Sequence, residues 1–141
     1  MYAKKSERFI QQAMHVVLKP SPSVAFKYRA TLPNNRFVDF GDKFERDYTD
    51  HGNPRLMRAR LLRHGAIIPR KVRVECDLRE IHREMLHVDE STVEDWDDVY
   101  TREYWNRWLL FSYPTMHQAK LFMTMRKGVL FMPTAEGSWY L

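Results

Sequence analysis

The sequence predicts an α+β domain in which a small β-hairpin packs with about five helices. Three observations support this class. Apolar and polar residues alternate on both sides of a Pro-Asn-Asn turn at residues 33–35, as they do in a hairpin. Helix start and stop signals recur after residue 50. Hydrophobic residues make up 44% of the 141 residues and aromatic residues 13%, which is enough to build one buried core.

The predicted hairpin lies within VAFKYRATLPNNRFVDFG, residues 24–41. Every second residue from Val24 to Ala30 is apolar or small, and Val38 and Phe40 continue the alternation on the second arm. The asparagines of the turn tolerate the positive φ that a tight connection needs. We expect the hairpin to end at Gly41.

Residues 6–19 predict an N-terminal helix, with Ser6 as its cap. Its apolar residues recur at helical spacing: Phe9, Ile10, Ala13, Met14, Val17 and Leu18. The following KPSPS cannot continue a helix, because its prolines lack the N–H donor and fix φ. The chain is therefore divided into an N-terminal helical arm and joint, residues 1–22, and a single α+β domain, residues 23–141.

The clearest helix is NPRLMRARLLRHG, residues 53–65. Asn53 is its N-cap, Pro54 occupies the first helical position, and Gly65 lies just past its end. Apolar periodicity predicts further helices over residues 77–88, 101–111 and 115–128.

Three other segments carry shorter patterns. Residues 67–76 predict a short strand, because two valines alternate with polar residues. Residues 91–96 carry the capping-box pair Ser91 and Glu94, which is typical of a helix start. Residues 129–141 are apolar and predict a strand or an extended C-terminal tail.

Charge is segregated along the chain, whose net charge is +5. Residues 51–74 contain seven Lys or Arg and no acid, whereas residues 89–98 contain six acids and no base. The two blocks either pair with each other or face different neighbours. A free-standing nucleic-acid-binding protein would not need the acidic block.

The basic block is the main candidate for binding. Its arginines form short i, i+3 rows beside the apolar residues of the helix. A guanidinium binds phosphate and carboxylate equally well, so both partners stay open. The candidate partner- or phosphate-binding residues are Arg55, Arg58, Arg60, Arg63, Arg70, Lys71 and Arg73.

Asp47, Asp50, His51 and His64 could supply oxygen and nitrogen ligands to a metal. Aspartates before a helix more often cap it, and the lone Cys76 excludes a thiolate-rich zinc site. We interpret the four residues as a structural knot and predict no metal and no other cofactor. The sequence contains no Gly-rich phosphate loop or nucleophile elbow, so we predict no enzymatic activity.

Apolar surface is the second candidate for partner binding. The tryptophans of residues 104–113 share a helical face and predict core. Phe9, Trp139 and Tyr140 are the apolar interface candidates, since aromatic residues are enriched at interfaces. No apolar run approaches the ~20 residues that span a bilayer, so we predict a soluble, intracellular protein with no membrane span.

The blocks KYRATLPNNRFVDFGDKFERDYTDHGNPRLMRARLLRHG and YWNRWLLFSYPTMHQAKLF resemble a small family of uncharacterised proteins encoded by nucleocytoplasmic large DNA viruses. The shared features are the Phe40-Gly41 step, the Asp-Tyr-Thr-x-His element at residues 47–51, the Arg63-His64 helix end and the Trp-rich segment before Pro114. The resemblance covers a little under half of the chain. Residues 66–99 and the N-terminal arm depart from it.

The resemblance implies a viral origin but no mechanism. Small, basic, aromatic-rich proteins without catalytic motifs are often virion components in such viruses. We therefore expect a minor capsid or cementing protein that binds the major capsid protein and other minor capsid proteins. Its location would be the virion, and the host cytoplasm during assembly. The alternative is a virus-encoded nucleic-acid-binding protein that uses the Arg-rich helix.

Overall fold

The computed structural model describes residues 13–133, which form one mixed four-stranded sheet packed with six α-helices. The strands are β1 (Met14–Pro20), β2 (Phe26–Thr31), β3 (Phe37–Asp42) and β4 (Val129–Met132). The helices are α1 (Tyr48–His51), α2 (Pro54–Arg63), α3 (Arg70–Arg73), α4 (Leu78–Met85), α5 (Arg102–Trp105) and α6 (Met116–Lys127). A π-helical segment, Asn106–Leu110, continues α5. The predicted α+β class is confirmed.

The predicted hairpin is confirmed as β2 and β3. The two strands pair antiparallel, with Ala30 opposite Val38 and Tyr28 opposite Phe40. Asn35 takes the positive φ of the turn, at 66°. The apolar residues that face the helices are buried, and Phe40 packs against Trp105 with 5.8 Å between ring centroids.

The predicted N-terminal helix is wrong over residues 14–19, which form β1. Met14, Val16 and Leu18 alternate as a strand requires, and Val16 and Leu18 are buried. β1 pairs antiparallel with β2 and parallel with β4, so both of its edges are hydrogen-bonded. This pairing decides between two patterns that the same apolar residues satisfy. The predicted boundary at residues 22–23 falls between β1 and β2, and Phe9 lies outside the described residues.

The predicted strand over residues 67–76 is also wrong, because residues 70–73 form α3. Of the two valines, Val72 is buried and Val74 is 65% exposed, so they do not share one buried face. Pro69 begins the turn, and its carbonyl accepts from the Val72 and Arg73 N–H groups.

No helix begins at Ser91 (residues 91–96), in contrast to the capping-box prediction. Ser91 Oγ does accept from the Glu94 N–H at 3.0 Å, as a cap would. However, the Glu94 carboxylate binds His64 and Trp96 instead of returning to Ser91.

The other predicted elements are confirmed. α2 begins after Asn53, which accepts from the Arg55 N–H, and α6 ends at Gly128 with φ 69°. α4 lies within residues 77–88, and α5 with its π-helical segment lies within residues 101–111. β4 accounts for the start of the predicted tail. Trp139 and Tyr140 lie outside the described residues.

We predict that Gly41→Ala destabilises the fold more than Gly52→Ala does. Both glycines have positive φ, 79° and 61°. Each substitution therefore lowers the free energy of unfolding by about 1–2 kcal/mol through backbone strain. A Cβ on Gly41 would also lie 2.9 Å from Leu110 Cδ1, whereas one on Gly52 meets only Pro114 Cβ at 3.8 Å. The extra loss of about 1–3 kcal/mol is measured by urea denaturation. Equal losses would contradict the packing of β3 against the π-helical segment.

Candidate functional site

Three of the seven predicted basic residues form hydrogen bonds within the fold. Arg58 Nη1 donates to the carbonyls of Val72 and Glu75, both at 2.8 Å. Arg55 Nη2 donates to the Cys76 carbonyl at 3.0 Å. These bonds fix α3 and the loop after it against α2.

The third of them, Arg60, points inward. Its Nε donates to Glu45 Oε1 at 3.2 Å, and its guanidinium lies over the Phe111 ring at 4.2 Å. Burial lowers the pKa of Arg60, although the Glu45 carboxylate opposes this effect. Arg60 is therefore packed inside and is not available to a partner.

The other four basic residues, Arg63, Arg70, Lys71 and Arg73, are exposed, and we call them the basic segment. Within residues 13–133, none of these four side chains makes a hydrogen bond, an ion pair or a ring contact. A partner can reach all four without breaking an internal contact.

Residues 89–98 form a loop, which we call the acidic segment, and it is exposed except at the buried Trp96 and the half-buried Ser91 and Glu94. Glu94 is held in place, because its Oε1 accepts from Trp96 Nε1 at 2.8 Å and its Oε2 lies 2.8 Å from His64 Nδ1. The other five acids form no ion pair with any described residue: Asp89, Glu90, Asp95, Asp97 and Asp98.

Backbone bonds attach the acidic segment to the chain that joins α2 to α3. Ala66 and Ser91 form an isolated β-bridge, and the Ile67 N–H donates to the Glu90 carbonyl at 2.9 Å. Ser91 Oγ donates to the His64 carbonyl at 2.7 Å. The two charged segments therefore lie side by side, yet in the described part of the chain only His64–Glu94 pairs one block with the other.

Two of the four residues of the predicted knot, Asp47 and Asp50, pair with Lys27, and a third, His51, follows Asp50 in α1. Lys27 Nζ donates to Asp47 Oδ2 at 2.7 Å, to Asp50 Oδ2 at 2.9 Å and to the Glu45 carbonyl at 2.7 Å. Partial burial acts to lower the pKa of Lys27, but its bonds to the two aspartates outweigh burial and raise it. His51 Nδ1 accepts from the Asn53 N–H at 2.9 Å. His64 is not a member, because it pairs with Glu94.

The aspartates of the knot are helix caps. Asp47 accepts from the Thr49 N–H and hydroxyl, and Asp50 accepts from the Asp47 N–H at 3.0 Å. This capping box begins α1. Partial burial acts to raise the pKa of Asp50, but the bonds from Lys27 and the Asp47 N–H lower it.

α1 is tied to α4 through Tyr48 and His82. Tyr48 Oη lies 2.9 Å from His82 Nδ1, and burial raises the pKa of Tyr48 to about 12. The hydroxyl is therefore protonated at neutral pH, and the His82 tautomer sets which of the two groups donates. Burial lowers the pKa of His82, which favours its neutral imidazole.

Arg107, in the π-helical segment, is a buried cation that forms no ion pair with a carboxylate of residues 13–133. Nη1 donates to the Phe111 carbonyl at 2.6 Å, and Nη2 donates to the carbonyls of Met85 and Val88 at 2.6 and 2.8 Å. Nε has no partner among the described residues. Burial lowers the pKa of Arg107 to about 9, so the group stays charged at neutral pH.

The sequence analysis missed Lys27 and Arg107. No local pattern identifies Lys27, whose partners lie about 20 residues further along the chain. Arg107 carried a signal, because it is the only charge within YWNRWLLF, a mostly apolar stretch of a predicted helix. A charge on the core face of a helix is rare unless it is paired or bonded to the backbone.

Two structural features bear on the kind of site: clusters of metal-ligating side chains and long apolar helices. Among residues 13–133, no three His, Cys, Asp or Glu side chains come together where they could hold a metal ion. Nor does this part of the chain contain a helix with the length and apolar character to cross a bilayer.

Comparison with known proteins gives one match. A family model described as a family of unknown function, DUF5754, matches residues 16–64, about a third of the chain. The matched stretch runs from β1 to His64, and it contains the Lys27 cluster and the arginines of α2 but not α3 or the acidic segment. No curated protein and no solved structure matches the chain.

We predict that Arg58→Met lowers the free energy of unfolding by about 1–3 kcal/mol, because it leaves two carbonyls without their donor. The matched Arg63→Met removes an exposed side chain and should change it by less than about 0.5 kcal/mol. Urea denaturation measures both. Equal effects would mean that Arg58 does not anchor α3.

We predict that stability falls as the pH is lowered from 7.5 to 5.5. The pKa values of His51 and His82 are lowered by burial from 6.5, so the unfolded chain takes up protons first. Their contribution is complete above pH 6.5 and is lost as the pH falls through the folded-state values. His82→Gln should reduce the dependence, whereas the matched His117→Gln, at an exposed residue, should keep it. Urea denaturation at pH 7.5 and at pH 5.5 measures the free energy of unfolding. Equal values at the two pH values, or an equal pH dependence in His82→Gln and His117→Gln, would refute the prediction.

Proposed function

We propose that this chain is a structural virion protein of a large DNA virus, a minor capsid or cementing protein that binds neighbouring shell proteins. The observation that carries the proposal is the adjacent pair of exposed, oppositely charged segments. Most of their charges have no partner among the described residues. Charges of this kind select complementary surfaces and exclude like-charged ones.

The way the segments are held supports a binding role. Arg55 and Arg58 fix α3 from behind, so Arg70, Lys71 and Arg73 project from an anchored helix. The acidic segment is fixed by the Ala66–Ser91 bridge and by Glu94. These segments therefore lose less conformational entropy when a partner binds than free loops would.

The viral assignment rests on the resemblance of residues 27–65 and 104–122 to proteins of large DNA viruses. On this basis the partners are the major capsid protein and other minor capsid proteins. The location is the virion, and the host cytoplasm during assembly. The proposal gives the chain no catalytic step.

A nucleic-acid-binding function is the second candidate, and the four exposed cations of the basic segment favour it. Asp89 and Glu90 weaken it, because they line a cleft with Pro69 and Val72 of the α3 region and would repel a phosphate backbone. If all four cations contacted phosphates, log Kobs against log salt would fall with a slope of about −3 to −4.

The test uses purified particles of the virus that encodes the chain. We expect the protein at a fixed ratio to the major capsid protein by quantitative mass spectrometry. Reversing three charges, Arg70→Glu, Lys71→Glu and Arg73→Glu, should lower its incorporation by about tenfold or more. A control with the same net charge, Lys43→Glu, Arg46→Glu and Arg79→Glu, alters exposed cations elsewhere and should be incorporated normally.

Absence of the native protein from virions would refute the cementing function, and so would equal incorporation of the two variants. The nucleic-acid candidate is measured separately, by fluorescence anisotropy of a 20-base-pair DNA. Salt-dependent binding that is lost in the first variant and kept in the control would replace the proposal with that candidate. DNA binding that is absent at low salt, or unaffected by both variants, removes it.

A further inference from the structure

An open groove of ≈ 500 Å³ runs between α4 and α6, on residues that neither charged segment includes. Its apolar lining comes from Leu86, Leu121, Phe122 and Met125, and its cationic lining from Arg83 and Arg126. None of the described residues that line it carries a carboxylate. We call it the α4–α6 groove.

The floor of the groove is rigid and aromatic. Tyr113 and Phe122 pack with ring centroids 5.4 Å apart, and His82 lies edge-on to Tyr113 at 4.9 Å. Phe122 packs in turn on the buried Trp108 at 5.9 Å. A fixed apolar floor needs no ordering when a ligand binds.

The rim offers apolar area that the described residues do not cover. Leu121 is 53% exposed and Met125 is 74% exposed, and they lie one helical turn apart on α6. Arg126 is exposed and has no ion pair within residues 13–133, whereas Arg83 pairs with Glu80. Met and Arg are the residue types that interfaces favour.

Charge and hydrogen bonding together identify the occupant. A groove with cationic rims and no acid attracts a ligand that places carboxylates beside an apolar core. One wall is the helix α6 and the other is the C-terminal end of α4 with the turn after it, so an extended peptide would find no strand to pair with. A helix satisfies its own backbone and can lay an apolar face in such a groove.

We propose that the α4–α6 groove binds an amphipathic helix of a partner protein, with acidic residues flanking its apolar face. The α6 residues that line the groove run from Gln118 to Arg126, about 12 Å along the helix axis, so the groove holds about two turns of the partner helix. Arg126 pairs with a flanking carboxylate, and Leu121 and Met125 cover the apolar face. This inference uses a different surface from the proposed cementing function and does not depend on it.

The probe is a labelled 16-residue helical peptide with leucines at i, i+3, i+4 and i+7 and glutamates beside them. A second peptide carries lysine in place of each glutamate. We expect saturable binding of the acidic peptide to the full chain by fluorescence anisotropy, and binding of the basic peptide that is about tenfold weaker. Arg126→Glu should reduce or reverse this preference.

The apolar contribution is tested with matched variants. Leu121→Asp with Met125→Asp should weaken binding of the acidic peptide by about tenfold or more. The control, Val24→Asp with Phe44→Asp, alters apolar residues outside the groove that are more exposed than Leu121 and Met125, and it should bind normally. The triple reversal at Arg70, Lys71 and Arg73 should also bind normally, which separates this surface from the basic segment.

Several results would overturn the proposal. They are no binding of the acidic peptide at 1 mM, equal binding of both peptides, or equal effects of the groove and control variants. Binding that appears only after Trp139→Ser and Tyr140→Ser would assign the groove to the C-terminal residues of the chain itself. A dimer in sedimentation that Met125→Asp dissociates would assign it to a second copy.

Discussion

The guanidinium of Arg107 joins three parts of the chain by donating to carbonyls of the π-helical segment's end, of α4 and of the turn after α4. A buried cation normally needs a carboxylate. Here, carbonyl dipoles and the faces of Trp96 and Trp108, 5.4 and 4.4 Å from the guanidinium carbon, take its place. The acidic segment follows directly after Val88, and α4 is one wall of the groove. Arg107 therefore ties the π-helical segment to the end of α4 and to the residue before the acidic segment.

The elements that were predicted correctly are those whose caps and turns lie next to them in the sequence. α2 and α6 carry their own caps, and the hairpin carries its own turn, so each could be located from a few neighbouring residues. β1 could not, because its apolar residues fit a helix and a strand equally well. Its pairing with β4, more than 100 residues away, settles the matter. α3 is a single turn, too short for periodicity to distinguish it from a strand.

The charge segregation was visible in the sequence, but the use of each charge was not. Arg55, Arg58 and Arg60 bond to acceptors 14 to 21 residues away, while Arg63 on the same helix bonds to none of the described residues. Only the fold determines which carbonyl a given guanidinium reaches. The aspartate caps were predicted because capping is local. Lys27, which pairs with both of them, lies in a different element.

The parallel pairing of β1 with β4 has a consequence for synthesis of the protein. β1 ends at Pro20 and β4 begins at Val129, so about 110 residues emerge from the ribosome before the sheet can close. At about 5–20 residues per second, one edge of β1 stays open for on the order of ten seconds. An unpaired strand edge is where nascent chains stick to one another. During translation, this edge of β1 is a site that a chaperone can protect.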